Sequence, residues 1–98
     1  MEYRFQWDPI KAQSSFEKHG VSFREAERVF KDSRALTLFD QEHSLVEERW
    51  ITLGLTPSGQ YLLVVHTVEE DVDLLNVRII SARRATKREI RCYEEGEQ

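Results

Sequence analysis

Residues 60–68, QYLLVVHTV, are the stretch that decides the fold. The four residues LLVV within it, 62–65, are all apolar, although successive side chains of a strand point to opposite faces of its sheet. A strand without a polar face is typical of the middle of a sheet that is covered on both sides. The sequence therefore predicts a central strand here, with other strands beside it and cover on each face.

Strand-like segments lie on both sides of this run. They are ALTLF at 35–39, ERWITLGL at 48–55 and LLNVRIISA at 74–82. The sequence TPSG at 56–59 has the residues of a tight turn and predicts a hairpin into the central strand. Residues 69–73, EEDVD, are predicted to form a longer acidic connection. The simplest arrangement is an antiparallel meander of about four strands.

The N-terminal third predicts a strand and two helices. Residues 3–7, YRFQW, alternate aromatic and polar side chains as a half-buried strand does. Asp8 and Pro9 are suited to the N-cap and first position of a helix, and Gly20 to its C-terminal cap. Ser22 and Glu25 have capping-box spacing and predict a second helix. Its inward stripe is Phe23, Ala26, Val29 and Phe30.

Thr86 and Glu89 form a further capping box, which predicts a C-terminal helix carrying Ile90 and Tyr93 on one side. The element order is then β-α-α-β-β-β-β-α, typical of an α+β fold with helices packed against a twisted sheet. We expect residues 1–98 to form a single domain, with a frayed tail after Gly96.

Composition excludes several classes of function. The chain has 98 residues, a formal net charge of −4 and one cysteine, Cys92, so neither an internal disulfide nor a zinc site is expected. It contains no nucleotide-binding glycine motif, no metal-ligand spacing, no secretory signal and no apolar run long enough to cross a membrane. A cytoplasmic protein without a metal or another cofactor is expected.

Residues 78–93, RIISARRATKREIRCY, reverse the overall charge. The segment holds six cations and one anion, Glu89. A dense group of Lys and Arg at a strand-to-helix junction focuses positive potential and attracts phosphates. The alternative is a solvated helix face without a ligand.

Four residues are candidates for a catalytic role, one within this segment and three outside it. Lys18 and His19 end the first predicted helix, where a cation is already favoured by the helix dipole, but His19 could also transfer a proton. Arg49 begins a strand and Arg83 ends one, so in a meander the two guanidinium groups could meet at a phosphate and stabilise its transition state. The alternative for Arg49 is an ion pair with Glu48 or a tail carboxylate.

The sequence does not indicate a catalytic role for the other two histidines. His66 lies in the central strand and is expected to be a hydrogen-bonded core residue. His43 follows Asp40 and Glu42 in an acidic loop and is expected to be solvated.

The chain resembles the BrnT toxins, the ribonuclease components of type II toxin–antitoxin systems. The resemblance extends over FQWDPIKA…EKHGVSFREAERVFKDS, then EERWITLG, YLLVVHT and RIISARRATKREIRCYEEG, almost the entire chain. Its motifs KHGVSF, EER and RIISAR-AT-RE occur in the family's order and spacing. Two departures are Ser15, where relatives often have Asn, and the acidic connection EEDVDLLN, which looks longer than usual.

The resemblance implies a RelE-like fold and metal-independent RNA cleavage that inhibits translation. It also implies a hetero-oligomer with a BrnA-like ribbon-helix-helix antitoxin, which alone contacts DNA. The family's active-site positions fall on Lys18, His19, Arg49 and Arg83, and the flanking cations Arg84, Lys87 and Arg88 are expected to bind RNA. An alternative is a catalytically weak partner that scaffolds the antitoxin and supports repression of its promoter.

Overall fold

The computed structural model describes residues 2–96, so the predicted frayed tail after Gly96 lies outside the described residues. Within this range the chain forms five strands, three α-helices and two short 3-10 helices. In order they are β1 (Glu2–Gln6), α1 (Pro9–His19), α2 (Phe23–Ala26), a 3-10 helix (Glu27–Lys31), β2 (Leu36–Phe39), a 3-10 helix (Gln41–His43), β3 (Trp50–Leu55), β4 (Tyr61–Asp71), β5 (Leu74–Arg84) and α3 (Lys87–Glu95).

The strands form one sheet in the order β1-β5-β4-β3-β2. Strands β2 to β5 are the predicted antiparallel meander, and β4 is the central strand of the five-stranded sheet, as the apolar run at 62–65 predicts. The predicted cover on both faces is incomplete, because Leu63 and Val65 border an open groove. Strand β1 joins at the outer edge and pairs in parallel with β5, from Glu2 beside Leu74 to Gln6 beside Arg78. The α+β class is confirmed, with a mixed sheet of five strands.

The predicted acidic loop at residues 69–73 is wrong. Strand β4 continues through Glu69, Glu70 and Asp71, and Asp71 pairs with Leu74, so the connection is the two-residue turn Val72-Asp73. Asp73 has φ 56°, a left-handed conformation that Asp tolerates better than most residues. Because β5 is paired on its far side with β1 in the same stretch, the ladder holds acidic residues whose own strand propensity is low.

The core lies between the helices and one face of the sheet. Residues 21–29 contribute its helical side, and the facing strand residues come from β4 and β5. The buried members are Val21, Phe23, Ala26, Val29, Leu62, Val64, Val77, Ile79 and Ala82. His66 is also buried on this face, where its Nε2 lies 2.8 Å from the Thr52 hydroxyl, so it is the hydrogen-bonded core residue that the sequence predicts.

Gly54 brings β3 close to the helical layer. A Cβ atom at this position would lie 2.9 Å from the Val29 Cβ and 3.2 Å from the Val29 carbonyl oxygen. A side chain larger than hydrogen would therefore push the 3-10 helix away from the sheet, which explains a glycine inside a strand.

The helices begin at the predicted caps. The Asp8 side chain accepts from the Ile10 N–H with Pro9 at the first position, and α1 ends at Gly20, whose φ is 72°. Ser22 accepts from the Glu25 N–H at 3.0 Å, but the Glu25 carboxylate turns instead to the Ser58 hydroxyl, so this capping box is half formed. The second predicted helix is α-helical only over its first turn and continues as a 3-10 helix.

Ser15 fastens α1 to the sheet. Its buried hydroxyl lies 3.4 Å from the Ala82 N–H, from which it accepts, and 3.5 Å from the Ala82 carbonyl oxygen, to which it donates. Strand β1 ends its pairing at Arg78, so within residues 2–96 the β5 edge beyond it has no strand neighbour. The Ser15 hydroxyl therefore provides hydrogen-bond partners for the Ala82 backbone groups on this unpaired strand edge. None of the helices within residues 2–96 has the length and apolar character that a bilayer crossing needs.

Candidate active site

The sheet face opposite the helices carries the candidate site. The pairing register places Leu38, Ile51, Val65 and Ser81 in one row across four strands. Directly paired residues of antiparallel strands share a face, and so do residues two positions along the same strand. Arg83, two residues after Ser81, therefore lies on this face on one side of the row, and Arg49 immediately precedes β3 on the other side.

A groove of about 650 Å³ runs over this row. Its floor is mostly aliphatic, and its polar lining comes from β5, the start of β3 and the segment between β2 and β3. The lining residues are Leu38, Phe39, Asp40, Gln41, Glu42, His43, Arg49, Ile51, Leu63, Val65, Ile80, Ser81 and Arg83. The structure thus brings Arg49 and Arg83 to the same groove, although they are far apart in the sequence.

Arg49 is partly buried beside this groove. Its Nε is buried and has no hydrogen-bond partner among residues 2–96, whereas its Nη2 lies 3.8 Å from a Glu47 carboxylate oxygen. The ion pair is thus with Glu47, where the sequence suggested Glu48 or a tail carboxylate. The Arg49 side chain as a whole is 30% exposed and lines the groove, so part of it is accessible to an anionic ligand.

Arg83 is held by Glu89. Its Nη1 and Nη2 donate to the two carboxylate oxygens of Glu89, each at 2.9 Å, and Nη1 also donates to the Arg84 carbonyl oxygen at 3.1 Å. Hydrogen bonding to Glu89 raises the pKa of Arg83, and the same bonds lower the pKa of Glu89. Arg83 has five N–H donors, so the Nε edge of its fork remains for a second anion.

Lys18 and His19 lie in an adjoining groove of about 220 Å³ between α1 and the edge of β5. The two grooves share Ile80 and Ser81 as a common wall. A β-bulge creates this wall: Val65 pairs with Ser81 and His66 with Ile79, which leaves Ile80 without a partner on β4. Bulges redirect side chains in this manner and are frequent beside active sites.

His43 is the groove residue that the sequence prediction missed. The segment 40–49 is closed at its ends by a hydrogen bond from the Asp40 N–H to the Arg49 carbonyl oxygen at 2.9 Å. The Ser44 hydroxyl braces it by accepting from the Arg49 N–H at 3.0 Å. His43 is exposed, as expected, but its Nδ1 lies 3.0 Å from an Asp40 carboxylate oxygen and its ring lines the groove. A histidine three residues after an aspartate was the only sequence signal for this contact.

The other cations of the basic segment have different surroundings. Arg78 is paired with Glu47, and this pair lowers the pKa of Glu47. Arg84, Lys87 and Arg88 are exposed near the start of α3 and do not line either groove. Among residues 2–96, no three His, Cys, Asp or Glu side chains come together in a way that could hold a metal ion.

Comparison with known proteins decides the family. A sequence-family model described as "Ribonuclease toxin, BrnT, of type II toxin-antitoxin system" matches residues 7–89. The chain belongs to the BrnT family. Membership in a type II toxin–antitoxin family implies an antitoxin partner for this BrnT protein. No curated protein sequence matches the chain.

A solved structure supports the BrnT fold. The chain is similar to the crystal structure of the Brucella abortus ribonuclease toxin BrnT, with a TM-score of 0.63 and 21% sequence identity. The match covers 89% of this chain and 99% of that one. At this identity the likeness establishes the shared architecture, and the roles of individual side chains have to be argued from this chain's own geometry.

Proposed function

We propose that this BrnT-family chain is an endoribonuclease that cleaves RNA without a metal ion and thereby inhibits translation. The observation that carries the proposal is the groove with Arg49 and Arg83 at opposite ends of an aliphatic floor. Two guanidinium groups supply the positive charge that a metal ion supplies in other nucleases. An RNA substrate brings its own nucleophile, the 2′-hydroxyl beside the scissile phosphate.

In this proposal Arg49 and Arg83 bind the scissile phosphate. Arg49 contacts the phosphate through the accessible part of its side chain, which is 30% exposed, and Arg83 contacts it through the edge that Glu89 leaves free. Both interactions strengthen as the phosphate gains negative charge in the transition state. Lys18 or His19, across the shared wall of Ile80 and Ser81, handles proton transfer.

Three further cations lie outside the groove lining. Arg84, Lys87 and Arg88 are exposed, and none of them takes part in an ion pair within residues 2–96. We propose that they hold flanking phosphates of the RNA, since exposed cations increase RNA affinity without base preference.

The partner completes the proposal. A BrnA-like antitoxin with a ribbon-helix-helix domain neutralises the chain in a hetero-oligomer and carries the DNA contacts, and the chain acts in the cytoplasm as a single domain. The acidic surface, with a net charge of −4, suits a basic antitoxin.

The test replaces each arginine separately. Arg49→Ala and Arg83→Ala should lower the cleavage rate of purified protein on RNA in EDTA by about 10²–10³-fold, the usual effect of removing one transition-state donor. Arg83→Lys should recover little activity, because Lys keeps the charge but lacks the fork. Arg24→Ala, on the far helical layer, is the matched control and should cleave like the parent.

Parental cleavage by both groove variants would contradict the assigned roles of Arg49 and Arg83. Intact RNA with the parent protein, together with antitoxin-dependent DNA binding, would instead support the alternative of a catalytically weak scaffold. Growth inhibition without antitoxin gives the same comparison in cells.

A further inference from the structure

We propose that His43, oriented by Asp40, is the general base that activates the RNA 2′-hydroxyl in this groove. The inference rests on the proposed ribonuclease function and adds a group to the site that the family motifs do not mark. It comes from the segment between β2 and β3, which places a histidine–carboxylate pair beside Arg49 and Arg83.

The exposure of the two side chains is suited to these roles. The His43 side chain is 62% exposed, so a substrate can reach it, whereas the Asp40 side chain is only 11% exposed. The backbone of Asp40 is held in place, because its N–H donates to the Arg49 carbonyl oxygen and its carbonyl oxygen accepts from the Ser44 hydroxyl. The Asp40 carboxylate itself contacts the His43 ring.

The contact with Asp40 determines which ring nitrogen is free. The His43 Nδ1 lies 3.0 and 3.2 Å from the two Asp40 carboxylate oxygens, which only accept hydrogen bonds. Nδ1 therefore carries the hydrogen, and Nε2 of the neutral ring keeps its lone pair. This is the tautomer that a general base requires, and a neighbouring carboxylate also stabilises the imidazolium formed after proton transfer.

In the proposed step, one bond forms and one bond breaks at the same phosphorus atom. The Nε2 atom of His43 takes the 2′-hydroxyl proton as O2′ bonds to phosphorus, and the bond from phosphorus to O5′ breaks. The leaving O5′ takes a proton from Lys18 or His19, on the other side of the wall formed by Ile80 and Ser81. The products are a 2′,3′-cyclic phosphate and a 5′-hydroxyl end. A base and an acid on opposite sides of the phosphate are what an in-line displacement needs.

The experiment measures single-turnover cleavage of an RNA oligonucleotide in EDTA from pH 5 to 9. His43→Ala should lower the rate by about 10²–10⁴-fold, and free imidazole should restore part of it. Affinity for a 2′-deoxy analogue should stay within a few fold, about what loss of an uncharged contact costs. Val46→Ala, in the same segment but 99% exposed and outside the groove, is the matched control and should keep the parental rate.

The pH profile separates catalysis from folding. In the parent protein the rate should fall in acid, because a protonated general base cannot accept the 2′-hydroxyl proton, and His43→Ala should lack this limb. The charged groups that line the groove together with His43 are Asp40 and Glu42 from its own segment, Arg49 from just before β3 and Arg83 from β5. Asp40→Asn should also lower the rate, because an amide can donate to Nδ1 and favour the wrong tautomer.

Three outcomes would overturn the proposal, and they are distinguishable. Parental cleavage by His43→Ala with inactive Arg83→Ala would remove His43 and leave the ribonuclease function intact. Loss of activity in His43→Ala with the pH limb unchanged and no imidazole rescue would show a structural role. No cleavage by the parent protein would overturn both this inference and the ribonuclease function.

Discussion

At the residue scale, Glu89 links the folding of α3 to the state of Arg83. One of its oxygens accepts from the Thr86 N–H at 2.8 Å, which completes the capping box, while both oxygens accept from Arg83. The Arg83 hydrogen bonds are the main cause of the lowered pKa of Glu89. The same carboxylate therefore starts a helix and holds a candidate catalytic arginine in position.

Glu89→Gln separates these two functions, because Gln can still accept from the Thr86 N–H. We expect a loss of about 1 kcal/mol of unfolding free energy at pH 7, a modest value because Arg83 is partly exposed and solvent screens the pair. The folded pKa of Glu89 lies below its unfolded value of about 4.3. Its contribution is thus present above that pH and disappears as pH falls through the folded pKa.

Urea unfolding of the parent and Glu89→Gln at pH 7 and at successively lower pH checks this. The unfolding free energies of the parent and of Glu89→Gln should become equal as the pH is lowered. Glu95→Gln, an exposed position on the same helix, is the control and should differ little from the parent at any pH. A gap between parent and Glu89→Gln that persists unchanged in acid would contradict the ionic origin.

At the element scale, Asp32 connects α3 to the rest of the molecule. It follows the 3-10 helix Glu27–Lys31, and its Oδ2 accepts from the Leu55 N–H of β3 at 2.9 Å and from the Tyr93 hydroxyl. Burial of Asp32 would raise its pKa, but these hydrogen bonds, with one from the Arg34 N–H, lower it overall. Burial and the bond to Asp32 raise the pKa of Tyr93 to about 12.

Tyr93→Phe should therefore destabilise the protein by about 1–3 kcal/mol, the usual cost of removing a hydrogen bond to a partly buried charged group. The matched control is Tyr61→Phe, which loses only a solvent-exposed bond to Glu94 and should cost less than about 0.5 kcal/mol. Urea unfolding of the two variants at pH 7 measures the difference. Equal costs would show that the link between Tyr93 and Asp32 does not hold α3.

The hydrogen bond between Tyr93 and Asp32 also determines how the stability of the protein changes at high pH. The pKa of Tyr93 is raised above its unfolded value of about 10, so the neutral hydroxyl stabilises the fold below that pH. This contribution is lost as pH rises through about 12. The stability difference between parent and Tyr93→Phe should accordingly shrink in strong alkali.

At the scale of the whole molecule, opposite charges are sorted onto different regions. The tip of the β4–β5 hairpin is acidic, and the start of α3 presents Arg84, Lys87 and Arg88. Arg78 and Arg83 are partly neutralised by glutamates, whereas Arg84, Lys87 and Arg88 are exposed outside the groove lining. We expect them to govern RNA affinity, and the groove arginines to govern the rate.

A salt titration tests this division. The double substitution Lys87→Ala with Arg88→Ala should weaken RNA binding and reduce the slope of log K against log salt by about 1.4, since each single-strand phosphate contact contributes about 0.7. The cleavage rate at saturating RNA should change little. Arg24→Ala with Lys31→Ala, two exposed cations from the helical layer, should leave the slope unchanged. An unchanged slope in Lys87→Ala with Arg88→Ala would show that RNA does not cross this surface.

Local patterns were sufficient for most elements. The apolar run at 62–65 predicted the central strand, and the side chains of Asp8, Ser22 and Thr86 began their helices as predicted. Local patterns gave the wrong prediction for the acidic hairpin at residues 69–73. Strand pairing with β5, which is itself paired with β1, outweighs the weak strand propensity of Glu and Asp there. The site roles of Lys18, His19, Arg49 and Arg83 remain predictions that the variants described above test.

Periodicity, helix caps and ordered motifs are local properties of the chain, so they were enough to predict the α+β class, the meander and the family. The pairing of β1 with β5, the bulge at Ile80 between the two grooves, and the shared groove of His43, Arg49 and Arg83 became visible in the folded structure. These spatial relationships depend on strand register and loop closure, and therefore on contacts between residues that are distant in sequence. Local sequence patterns do not specify such long-range contacts, which form only when the elements pack together.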